Sequence, residues 1–160
     1  MAKAAAALVC KTGGERKPSE LLKKMSFGSY NQKVEHPRTE YDWLSRDDAQ
    51  VDLYIEDPMC GFTVCGGLQR SMAEGISFIQ KDESLRAMDK KLPVFFVAGG
   101  DDPVGNYGKG VYLAAEKFRQ AGMTKVDCRI YPLCRHEIFN EINRQEIFED
   151  LLQWINETVI

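Results

Sequence analysis

From residue 66 onward the apolar positions of the chain keep a period. Leu68, Met72, Ile76 and Ile79 fall on one face of a helix spanning roughly residues 67–80. "LPVFFVAGG" is a short apolar run closed by glycines, which predicts a buried strand over 93–98. Val111, Ala114, Ala115 and Phe118 mark a helix of about 107–121, with Gly122 just past its end. "KVDCRIYPL" predicts a second strand over 125–131. Asn143 and Glu146 then form a capping pair ahead of a last amphipathic helix, whose apolar face is Ile147, Phe148, Leu151, Leu152 and Ile155. The order is α–β–α–β–α. Strands joined through a helix run parallel, with a right-handed crossover. Parallel strands are normally buried on both faces within larger sheets, so at least one edge here is expected to want a partner strand that these residues do not supply.

Residues 1–65 keep neither period. The alanine-rich start predicts a helix over 2–11, stopped at Gly13–Gly14, and Ser19 can cap a short helix running through Met25. "SFGSYN", "HPRTEYDWLSRDD" and "YIEDPMCGF" then alternate proline, aspartate, glycine and aromatic residues. Such a stretch predicts short helices and ordered loops with exposed aromatics, the material of a lid over a site. The expected organisation is a cap-like segment over 1–65 and an α/β core segment over 66–160.

Composition narrows the function classes. A chain of 160 residues suits one domain, and 44% apolar with 28% charged residues describes a globular protein. A net charge of −3 leaves no electrostatic footprint for nucleic acid. No apolar run approaches the roughly 18 residues of a membrane-spanning helix. "MAKAAAALVC" has one lysine, a short apolar run and no small-x-small cleavage site after it, so it reads as a helix start and not a signal peptide; a cytoplasmic location is expected. The five cysteines contain no CxxC, and the Cys60/Cys65 and Cys128/Cys134 spacings do not fit zinc knuckles, which predicts free thiols in a reducing compartment.

Function in open α/β sheets lies beyond the carboxyl ends of the strands. The first predicted strand ends in "AGGDDPVG", which holds Asp101 and Asp102. The second runs into "YPLCRHEIFNE", which holds His136, one of only two histidines. Acid and histidine thus follow consecutive strands at the same end of the sheet, the placement of a carboxylate that orients a base. Each has an ordinary explanation when taken alone, since Asp–Pro after a strand is a common turn and a surface histidine needs no role. "HEIFN" has Asn140 where HExxH has its second histidine, and His36 lies before Pro37 in an unrelated loop, so no metal and no cofactor are expected. The order acid then histidine is that of α/β-hydrolases, in which a nucleophilic serine precedes both on a G-x-S-x-G elbow. None of Ser19, Ser26, Ser29, Ser45, Ser71, Ser77 and Ser84 is centred in that motif.

"LPVFFVAGGDDPVGNYGKGV" and "DCRIYPLCRHEIFNEINRQEIFEDLLQWI" resemble the last two strands, acid loop, histidine loop and final helix of the lysophospholipase and monoacylglycerol-lipase-like α/β-hydrolases, the serine aminopeptidase S33 family. "FGSYN", "RTEYDWLSRD" and "DPMCGF" are similar to the cap-to-core segment of its bacterial members. The resemblance implies the C-terminal part of an α/β-hydrolase fold behind a mostly helical cap. It implies Asp102, which directly precedes the Pro–hydrophobic pair, as the catalytic acid and His136 as the base, with Asp101 supporting the turn. Cys134 stands where such proteins often have a small residue. Phe27, Tyr30, Tyr41, Trp43 and Met59 are implied as candidates for an acyl-chain lining, with internal cap packing the favoured reading. The implied reaction is hydrolysis of a carboxylic ester such as a lysophospholipid or monoacylglycerol. The serine and oxyanion hole would come from a missing N-terminal half, so the 160 residues alone are expected to show little or no esterase activity. Two other readings stay open: a non-catalytic module or inactive fragment that binds a partner through its sheet edge or aromatic cap, and a thiol enzyme using Cys134 or Cys60 with His136. Cys134 is only two residues from His136, which is poor for in-line attack.

Overall fold

A computed structural model describes residues 2–158. The alanine-rich start forms α1 (Ala2–Val9), which runs into a wider turn over Cys10–Gly14 and kinks at Thr12 and Gly13. α2 (Glu20–Phe27) begins where expected, with the Ser19 hydroxyl accepting from the Leu22 amide at 3.4 Å. Two 3-10 turns follow, Tyr30–Lys33 and Asp42–Leu44, and then α3 (Asp48–Glu56), whose first turn is capped by the Asp47 carboxylate. α4 (Gly66–Ile79) lies against α1. Gly66 permits that approach, since a Cβ there would stand 2.8 Å from the Gly14 carbonyl oxygen. A short α5 (Asp82–Arg86) leads into the sheet.

β1 (Val94–Gly99) and β2 (Val126–Tyr131) pair in parallel, in register from Val94 opposite Val126 to Gly99 opposite Tyr131. α6 (Lys109–Gln120) makes the crossover between them, and α7 (Arg144–Thr158) follows β2. The alternation along the strands sorts side chains onto two faces. Phe96 meets Phe118 of α6 edge to face, with ring centres 5.0 Å apart. Phe95, one residue earlier, stacks on Trp154 of α7 at 5.2 Å. The α7 face also carries polar ties: the Trp154 indole donates to Asp127, the Tyr131 hydroxyl donates to Asp150, and Arg129 pairs with Asp150. Burial, and then the hydrogen bond to Asp150, push the Tyr131 phenol up to about 12. The core below the site is Tyr131, Cys134, Ile138 and Ile147, with Val97 and Leu151 packed against it.

The fold class is the expected one, two parallel strands with flanking helices. Among the described residues each strand has a single partner, and Val94 to Val97 are only half-buried. No described helix is long and apolar enough to cross a membrane.

Candidate active site

Both loops of interest leave the same end of the sheet, and Gly99 decides how close they come. A Cβ at Gly99 would lie 2.1 Å from the carbonyl oxygens of both Cys134 and Arg135. Only a residue without a side chain lets the histidine loop cross the end of β1 at that distance. The crossing is fixed by main-chain bonds from the Gly100 amide to Tyr131 and from the Asp101 amide to Cys134.

Asp102 is buried, and its carboxylate organises its own turn. Oδ1 accepts from the Val104 amide at 2.8 Å and Oδ2 from the Gly105 amide at 3.2 Å. Pro103, which has no amide hydrogen, lies between. Its neighbour Asp101 is exposed. Oδ1 of Asp102 also lies 3.1 Å from Nδ1 of His136. The hydrogen bond to Asp102 outweighs burial and raises the His136 imidazole above its ordinary value. With Nδ1–H donating to the carboxylate, the Nε2 lone pair is left to take a proton. The His136 side chain is 37% exposed against 7% for Asp102, so the ring edge is open while its anchor is not.

Aromatic residues from the first third of the chain wall the histidine. The buried Trp43 ring centre lies 5.2 Å from that of His136, and Tyr30 and Phe27 pack on Trp43 in turn. Burial first, and the Asp102 carboxylate second, push the Tyr30 phenol up. A groove of about 710 Å³ is lined by Phe27, Trp43, Tyr41, Met59, Phe62 and Met72, among others; neither Asp102 nor His136 lines it. Of the residues singled out in the sequence, Phe27, Trp43, Tyr41 and Met59 border this groove, whereas Tyr30 stands behind Trp43. The cysteines are free. Cys134 is fully buried, and burial together with Glu141 pushes its thiol up; burial does the same at Cys60. Neither environment favours the thiolate that a cysteine nucleophile needs.

Three residues with no evident signal in the sequence hold the histidine loop. The Glu141 carboxylate is fully buried and receives four donors. Oε1 accepts from the Arg135 amide at 2.7 Å and the Arg46 amide at 3.3 Å. Oε2 accepts from Arg46 Nε at 2.8 Å and the Ile142 amide at 3.2 Å. The Arg135 guanidinium donates to the Asp42 and Ser45 carbonyls at 2.7 and 2.9 Å. Two further main-chain bonds, His136 to Trp43 and Glu137 to Leu44, lay the histidine loop along residues 43–44.

Comparison with known proteins bears on the family and the fold. The family model described as serine aminopeptidase, S33, matches residues 3–143. A highly thermostable carboxyl esterase from Bacillus coagulans, solved with glycerol, is 27% identical with a TM-score of 0.88, over 99% of this chain and 52% of that one. A lipase in its open form is 22% identical with a TM-score of 0.84, over 97% and 50%. A soluble variant of monoglyceride lipase from Saccharomyces cerevisiae, bound to a substrate analogue, is 18% identical with a TM-score of 0.62, over 98% and 46%. The fold is that of the α/β-hydrolases, and the chain spans about half the length of these solved structures. No curated protein matches the sequence.

Proposed function

Because the chain belongs to the serine aminopeptidase S33 family, we propose that it carries the acid and the base of a serine hydrolase acting on carboxylic esters. Asp102 holds the His136 tautomer, and His136 takes the proton of the attacking serine and returns it to the leaving alcohol. The observation that supports this most directly is the 3.1 Å contact between Asp102 Oδ1 and His136 Nδ1, made beyond the ends of two paired strands. The serine and the oxyanion donors belong, in this reading, to the other half of the fold, since none of the seven serines here is centred in a G-x-S-x-G motif. Residues 1–65, with α4 against them, act as the cap. The groove beside Trp43 takes the apolar part of an ester or lipid such as a monoacylglycerol or lysophospholipid, with Phe27, Trp43 and Met59 as its walls and Tyr30 as the support behind Trp43. The mixture of aromatic and aliphatic walls favours apolar chains without selecting one head group. A cytoplasmic setting is part of the same proposal and is supported by the five free cysteines.

A fluorophosphonate probe, which labels activated serines, tests the proposal. The 160-residue chain is expected to stay unlabelled and to leave p-nitrophenyl esters intact. Joined to the remaining half of the fold, from its own gene or from the 27%-identical esterase, it is expected to gain both activities and to lose them again with His136→Ala. Stoichiometric labelling of the 160 residues alone would overturn it.

A further inference from the structure

Glu141 touches neither Asp102 nor His136, yet the histidine loop is built around it. It is a fully buried carboxylate in a region where burial of a charge is expensive unless every lone pair is used. Here they are used: three main-chain amides and one guanidinium nitrogen converge on its two oxygens. One of those amides belongs to Arg135, the residue directly before His136. Two donors belong to Arg46, in the segment that carries Trp43. The same two segments are tied again by the Arg135 guanidinium, by the Ser45 hydroxyl donating to the Asn140 carbonyl at 2.8 Å, by Arg46 Nη2 donating to Asn143 Oδ1 at 2.7 Å, and by Arg144 donating to Asp47 at 3.0 Å. By contrast, among the described residues the His136 ring has one polar partner, Asp102. Its orientation is therefore set by where the main chain at 135–136 is held.

We infer that Glu141 is a positioning residue for His136: by gripping the Arg135 amide and Arg46 together, it fixes the histidine loop at the distance from which the imidazole meets Asp102. Replacing one carboxylate oxygen by an NH2 removes an acceptor and sets a donor against Arg46 Nε and the Ile142 amide, lets residues 134–137 drift from residues 42–46, and loosens the Asp102–His136 contact without altering either partner. This rests on the pairing of Asp102 with His136 proposed above.

The chain has only two histidines, so the imidazole Cε1–H resonances of His136 and His36 can be followed individually by NMR as pH is varied, with His36 as internal control. In the unaltered chain His136 is expected to titrate above the ordinary imidazole range. If it titrates within the ordinary range, the pairing reading fails and this inference with it. Given a raised midpoint, Glu141→Gln is expected to lower it by roughly half a pH unit or more, a part of the roughly 1–3 units that a neighbouring opposite charge supplies. The paired replacement Glu141→Gln with Arg46→Gln keeps the net charge and leaves no unpartnered buried ion, so the same fall there cannot be a through-space charge effect. A folded variant whose His136 midpoint is unchanged would overturn the positioning role and leave the pairing intact. Unfolding of both variants would assign Glu141 to stability alone and overturn it equally.

Discussion

The two sides of the site are held in opposite ways. At the histidine loop, buried polar atoms are saturated: Glu141 alone receives four hydrogen bonds, and among the described residues no buried side-chain nitrogen or oxygen lacks a partner. At the groove, walls such as Phe27, Met59 and Phe62 are exposed and few directed bonds hold them; the Lys23 ammonium reaches the Tyr41 hydroxyl at 3.4 Å and that hydroxyl reaches the Gly61 carbonyl at 3.2 Å. An imidazole that meets one carboxylate needs a geometry fixed to a few tenths of an ångström, and directional bonds in a dry environment supply it. An open apolar surface depends on area more than angle, and loosely held aromatic and thioether side chains supply that.

Substitutions on each side should therefore differ sharply in effect. The largest is expected for Gly99→Ala, because the new methyl would meet two main-chain oxygens that cannot swing aside. It should destabilise the chain by about 3 kcal/mol or more, read as a lower urea midpoint at unchanged slope. A wild-type midpoint would show that the histidine loop yields, and would break the contrast.

Asp102→Asn should be milder in stability and specific in pH. The folded His136 imidazole lies above its unfolded value of about 6.5, so the folded state binds the proton more tightly. The stability this adds is fully present below about pH 6.5 and is lost as pH rises through the raised folded value. In Asp102→Asn that decline should flatten, and the NMR midpoint of His136 should fall back toward the ordinary range. Retention of the raised midpoint would mean that another group sets it.

The smallest effect is expected at Met59, which is 77% exposed. Met59→Ala should change unfolding free energy by less than about 0.5 kcal/mol while weakening the binding of an apolar fluorophore to the groove. Unchanged fluorophore binding would remove Met59 from the groove's working surface.

The same division governs what can be read from the chain without coordinates. β1, β2, α4, α6 and α7 fall within about two residues of where the apolar spacing puts them. α3 and α5 escape because neither carries an apolar stripe: α3 places charges among its apolar residues, and α5 is a single turn and a half. Asn143 and Glu146 do meet, but side chain to side chain at 3.0 Å, while Asn143 Oδ1 also takes a bond from Arg46. Asp102 and His136 are legible because each follows a strand, and strand ends in parallel sheets converge. Arg46 and Glu141 are not, because a buried ion pair looks like two surface charges until the chain has been folded between them.

Ser45 and Asn140, which meet across the histidine loop, are 95 residues apart in the chain. Helical turns and the β1–α6–β2 unit close short loops, but this contact closes most of the chain and must bear a larger entropy loss before any bond rewards it. Order of assembly follows from that separation. The strands and their crossover helix come first, residues 42–47 dock onto 134–144 afterwards, and the acid–base pair reaches its final geometry only then. During synthesis from the amino end, Arg46 waits without its carboxylate until residue 141 has emerged. The Asp102–His136 contact is thus the last feature the molecule acquires, and under mild denaturant it should be the first it gives up.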